Sequence, residues 1–169
     1  VKAYSDWTRR LNEFDSEFQL MIVKQLDLLR QQQHSFQRKA KGFCYSGTED
    51  YLLRHGIWYS PEPWREEWER GPEGACYAHS LRCCLNNPQL RYVEGVAVKR
   101  GIPRVAHHAW VTDRDRRLID GVWVNEGAAY LGCTFPLDVV SKAGGMPLLD
   151  YPRNLCLLRE RRREEDLSY

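Results

Sequence analysis

Three strand-like runs follow one another through the middle of the chain: LRYVEGVAVKR (90–100), RVAHHAWVTD (104–113) and RLIDGVWV (117–124). The segments between them, RGIP and DRDR, suit hairpin turns, so the runs pair as an antiparallel meander. EGAAYLGCTF (126–135) offers a fourth strand. The helical patterns come earlier. Apolar residues at Trp7, Leu11, Phe14, Phe18, Met21, Ile22, Leu26 and Leu29 recur every three or four positions, which predicts one long helix from 6 to about 38. Ser5 or Asp6 caps it. A second helix is expected in GTEDYLLRHG (47–56), with Thr48 as N-cap and Gly56 as terminator. A third, of about three turns, is expected in GACYAHSLRCCLNNP (74–88), with Leu81, Cys84 and Leu85 on one face. Between these two, IWYSPEPWREEWERGPEG (57–74) carries prolines at 61, 63 and 72 and reads as a long ordered loop pinned by Trp58, Trp64 and Trp68. Helices first and a meander after them give an α+β fold with an antiparallel sheet.

At 169 residues the chain is read as a single domain: a helical part over about 1–56, the loop 57–74, a helix-and-sheet core over 75–135 and a charged tail over about 157–169. The net charge of +2, with arginines neighboured by acids, argues against nucleic acid as a partner. No run approaches the roughly 18 to 20 apolar residues that span a bilayer, and the N-terminus lacks the order of a signal peptide. The six cysteines are irregularly spaced, with Cys83 and Cys84 adjacent and no CxxC pair. That suits reduced thiols in the cytoplasm, without structural zinc or another cofactor.

Chemistry concentrates on three residues. Cys76 falls just inside the N-terminus of the third helix, where unpaired N–H groups and the helix dipole favour a thiolate, and Gly74 and Ala75 leave room for a substrate. A thiolate needs a histidine, and AHHAWVTD (106–113) offers two. Strand alternation gives them opposite faces: His107 goes with Val105, Ala109 and Val111, and His108 with Ala106 and Trp110. A three-residue hairpin loop centred on Arg114 pairs Thr112 with Arg116 and His108 with Asp120, setting a carboxylate opposite His108. Asp120 interrupts an apolar run and wants such a partner, whereas Asp113 and Asp115 are ordinary turn residues. His108 is then the base, and His107 packing or surface.

The order of Cys76 in GACYA, His108 in HHAW and Asp120 in LIDGVW resembles the transglutaminase-like branch of the papain-like thiol enzymes, over about residues 70 to 135. The resemblance implies a nucleophile-bearing helix packed on an antiparallel sheet, with histidine and aspartate on adjacent strands. It implies acyl chemistry through a cysteine thioester: hydrolysis of an amide or peptide, or acyl transfer to an amine. The chain is also similar to small bacterial and phage proteins that share C-Y/F-A-N…YVEG…HAWV…ID…W…YLG. Two positions depart from these patterns. Gly121 stands where the family usually has proline, and His79 where the smaller group often has asparagine.

Relatives supply the second oxyanion donor from a side chain upstream of the cysteine, which makes Trp58, Tyr59, Trp64 and Trp68 candidates. Glu94, an acid in an apolar strand, is a candidate for a substrate amine or for an internal partner. Tyr130 and Gly132 read as ordinary strand and turn residues. The remaining cysteines, Cys44, Cys83, Cys84, Cys133 and Cys156, read as core thiols without a histidine beside them. Expected partners are a peptide, a protein, or a small acyl or amine substrate. Two readings stand beside the enzyme: a catalytically inactive binding module that uses the same fold and the aromatic N-terminal helix, and a metal site built from Cys76, His79 and His108.

Overall fold

The computed structural model describes residues 17–36 and 47–149. Residues 6–16 of the expected first helix with its cap, the charged tail, Cys44 and Cys156 lie outside them. Helix α1 (Glu17–Phe36) and helix α2 (Thr48–His55) come first, then strand β1 (Ile57–Tyr59) and helix α3 (Cys76–Asn86). Strands β2 (Arg91–Lys99), β3 (Val105–Thr112), β4 (Leu118–Ile119) and β5 (Gly127–Phe135) follow, and helix α4 (Leu137–Lys142) closes the described chain. The fold is α+β, with one antiparallel five-stranded sheet in the order β1-β5-β2-β3-β4. Among the described residues no helix is long and apolar enough to cross a membrane.

The two edges of this sheet meet. Pro61, two residues beyond β1, bridges Leu118 of β4, so the sheet curls into a small barrel. Alternation then sorts its side chains into an inside and an outside. Tyr59, Val93, Ala97, Trp110, Leu118 and Tyr130 fill the interior as one buried cluster. The outer face carries Tyr92, Val96, Val98, Ala109, Val111 and Leu131, packed against Ile22, Val23 and Leu26 of α1, Leu52 and Leu53 of α2, Cys76 and Cys84 of α3 and Val140 of α4. Curling this tightly requires small residues at the bend. Gly95 and Gly132 are register partners, and a Cβ at 132 would lie 2.6 Å from the Trp110 ring that crosses the barrel there.

Several expectations change in detail. Gly47, and not Thr48, is the N-cap of α2; Thr48 begins the helix and its hydroxyl donates to the Leu149 carbonyl. On α3 the buried side is Cys76, His79, Ser80 and Cys84, whereas Leu85 is 60% exposed. The loop expected over 57–74 opens with β1, because Ile57–Tyr59 find partners in Tyr130–Gly132. The run 117–124 is a strand only at Leu118 and Ile119. The β3–β4 hairpin is centred on Asp115, two residues of register away from the arrangement expected around Arg114: Val111 faces Ile119 and Thr112 faces Leu118. Arg116 takes a positive φ of 62°, and its N–H donates to Asp113 O (3.2 Å), a turn followed by a left-handed residue. A two-residue slip keeps parity, so His108 still faces the barrel interior.

Candidate active site

Short β4 opens the site. It pairs only with Val111 and Thr112, which leaves the β3 edge from Val105 to Trp110 without a strand partner on that side. At this edge the first residue of α3, Cys76, lies beside His108, close enough to raise the pKa of the imidazole. Past Ile119 the chain turns, and the turn is organised by Asp120. Its Oδ1 accepts the backbone N–H groups of Val122 and Trp123, each at 3.0 Å. Its Oδ2 accepts from His108 Nε2 at 2.7 Å and from the Tyr130 hydroxyl at 2.8 Å. This turn is what ends the strand. The expected neighbourhood of His108 and Asp120 thus exists without direct cross-strand pairing.

With Nε2 engaged by Asp120, Nδ1 is the ring nitrogen left for the thiol of Cys76. Burial of His108 favours its neutral form. The hydrogen bond to Asp120, with the pull of Asp120 and of the neighbouring Cys76, outweighs that and raises its pKa to about 9. Burial likewise disfavours the Asp120 carboxylate, but His108, the Trp123 N–H and the Tyr130 hydroxyl hold it below the usual carboxylate range. Trp123 lies flat on the imidazole, with centroids 4.0 Å apart and planes 12° from parallel, a placement that favours the charged ring. All three groups are well covered: Cys76 is 7% exposed, His108 2% and Asp120 7%.

The other sequence candidates lie elsewhere. Glu94 has internal partners: Tyr92 donates to one of its oxygens (2.7 Å), and the Leu148 and Leu149 N–H groups to the other (2.7 and 3.0 Å). Tyr59 sits in the barrel interior, edge-on to Trp110, with its hydroxyl pushed up to about 12 by burial. Trp58 packs against the helix-side core. Trp64 and Trp68 form an edge-to-face pair at 5.5 Å, and both line a small cleft with Asp120, Trp123, Asn125 and Tyr130. The Trp64 N–H donates to Asn125 Oδ1 (2.9 Å), tying the loop to the Asp120 turn. Cys83, expected to have no histidine beside it, lies with Sγ 3.5 Å from His79 Nε2. Tyr130, read from sequence as an ordinary strand residue, belongs to the site. Among the described residues no three His, Cys, Asp or Glu side chains form a group that could hold a metal ion.

Gly121 and His79 lie against each other in the structure. The His79 imidazole lies between Gly71 and Gly121: a Cβ at 71 would be 2.5 Å from His79 Cγ, and one at 121 would collide with His79 Nε2. The Gly71 N–H donates to Gly121 O (2.9 Å), which closes the slot. A proline at 121 has no room while histidine occupies 79. Burial depresses the His79 pKa, so the ring is neutral, and Arg82 approaches its Nδ1 at 3.3 Å. Gly121→Ala is expected to cost about 2 kcal/mol in urea denaturation, and less by at least about 1 kcal/mol when His79→Ala is already present. Strict additivity of the two substitutions contradicts the coupling.

The chain matches no protein-family model, no curated protein and no solved structure.

Proposed function

We propose that this chain is a thiol enzyme with a papain-like core of the transglutaminase-like type, acting on an amide, peptide or other acyl substrate. One observation carries the reading: a single imidazole bonds to a buried, fully satisfied carboxylate and lies beside a thiol in the first turn of a helix. Cys76, its thiol proton held on His108 Nδ1, attacks the acyl carbon and forms a C–S bond. The bond to the leaving group breaks as His108 returns that proton to the departing atom. Water or an amine then attacks the thioester, His108 takes its proton, and the C–S bond breaks to restore the thiolate and imidazolium. Asp120 remains charged throughout and fixes the ring. The Cys76 N–H, in the first helical turn and without an intrahelical acceptor, is one donor to the oxyanion and contributes a few kcal/mol.

The test is iodoacetamide labelling of the folded protein at about pH 6, located by mass spectrometry. Cys76 is expected to react first. Cys84 and Cys133, whose thiols burial pushes up to about 12, and Cys83, also raised by burial, stay unmodified. His108→Ala slows labelling of Cys76 by about 100-fold or more. If Cys76 stays inert even after Trp64→Ala and Trp68→Ala loosen the loop, the enzyme reading falls and the non-catalytic binding module takes its place.

A further inference from the structure

Asp120 Oδ2 accepts two hydrogen bonds at once, from His108 Nε2 and from the Tyr130 hydroxyl, while Oδ1 is occupied by two backbone donors. Every acceptor position of the carboxylate is filled. Of its four donors, only the imidazole changes charge near neutral pH, since burial and Asp120 itself keep the Tyr130 hydroxyl protonated. A second donor on the same oxygen draws negative charge away from the bond that stabilises the imidazolium. We propose that Tyr130 is a positioning residue that sets the proton affinity of His108 by competing with it for Asp120 Oδ2.

The geometry holds this competition in place. Tyr130 is on β5, which β2 separates from β3, so its contact with Asp120 exists only because the sheet curls. Two inward positions of the intervening strand are small: Gly95 is paired with His108, and Ala97 is paired with Tyr130. The ring is 1% exposed and lies edge-on to Trp110 with centroids 5.2 Å apart. Gly127 leaves room for its hydroxyl end, because a Cβ there would run into the phenol. The ionisable groups that face this cluster are few, and Lys99 of β2, paired with Glu126, is one that acts on Asp120. Cys76 of α3 faces His108, neutral His79 of α3 acts on Asp120, and Arg100 and Glu126 act on Tyr130 with opposite signs.

Under the thiol reading, on which the catalytic consequence rests, this competition makes His108 a readier proton donor to the leaving group. The structural claim has its own readout. In a Cys76→Ala background, titration of the His108 ring followed by 15N NMR is expected to move upward on Tyr130→Phe by about half a unit to one unit, a 3- to 10-fold rise in proton affinity. Mere loss of packing would admit water and move the titration down, towards the ordinary value near 6.5. A fluorinated tyrosine at 130, a stronger donor, is expected to move it down while keeping the fold, and serves if Tyr130→Phe does not fold. An unchanged or lowered titration in Tyr130→Phe, or no effect of fluorination, overturns the inference. The two proposals separate cleanly. A Tyr130→Phe shift with Cys76 labelling indifferent to His108 sinks the enzyme reading alone, and His108-dependent labelling without the shift sinks this inference alone.

Discussion

Gly95→Ala removes the cooperative folding transition. The added methyl would overlap the Leu131 carbonyl oxygen and lie 2.5 Å from Gly132 Cα and 2.8 Å from the Leu131 carbonyl carbon. These are backbone atoms of the neighbouring strand, so no rotamer relieves the clash, and the ladder between β2 and β5 must separate at the bend of the barrel. The expected cost exceeds about 4 kcal/mol, against a typical total stability of about 5–15 kcal/mol. Gly132→Ala meets the Trp110 ring at 2.6 Å and the Glu94 carbonyl at 2.7 Å and ranks just below it. Gly144→Ala is the control. Its φ is 64° and nothing lies within 4 Å of the added Cβ, so only backbone strain of about 1 kcal/mol opposes it. Thermal and urea unfolding followed by circular dichroism rank the three. Equal losses at 95 and 144 would contradict a closed, tightly bent sheet.

That bend marks the limit of what the sequence discloses. Period-two alternation is a local signal, and it was enough to find β2, β3 and β5 and to assign His107 and His108 to opposite faces. Parity also survived the error in hairpin register, because the left-handed turn at Arg116 moves the centre of pairing by one residue and the register by two. Two facts escaped, one local and one long-range. The Asp120 carboxylate binds the backbone N–H groups of Val122 and Trp123, which converts DGVWV from strand to turn although its residues are apolar enough for a strand. The closure of the barrel at Pro61 and Leu118 brings Tyr130 to Asp120 from two strands away, and no pairwise rule predicts that contact. A trace of it was present in the small inward residues Gly95 and Ala97, which leave space for large side chains from either side. The misread face of α3 has a similar cause. His79 is polar, yet it takes the buried position that the apolar Leu85 lacks, because Gly71 and Gly121 form a slot for its ring.

Asp120→Ala and Asp120→Asn are expected to fail in different ways. Alanine leaves two backbone N–H groups, the Tyr130 hydroxyl and a buried imidazole without their acceptor, a loss of about 3–5 kcal/mol. Asparagine keeps the turn: its oxygen still accepts from Val122 and Trp123, and its amide points at His108 and Tyr130. That amide is a donor. It requires an unprotonated Nε2, so the neutral ring carries its proton on Nδ1, facing Cys76, and can no longer receive the thiol proton. Under the proposed thiol mechanism, folded Asp120→Asn protein is therefore expected to lose about three to four orders of magnitude in Cys76-dependent turnover. The same substitution changes acid stability. The folded-state pKa of Asp120 is depressed, so its contribution is fully present above the unfolded value near 3.9 and is lost as pH falls through the folded value. Urea unfolding is therefore expected to show this loss in the unsubstituted protein only below about pH 4, whereas in Asp120→Asn the loss begins near pH 6.5, as the buried neutral His108 is forced to charge. Parallel curves would mean that the carboxylate is not charged in the folded site, and with that the imidazolium it stabilises, on which the proposed thiol chemistry depends, would lose its basis.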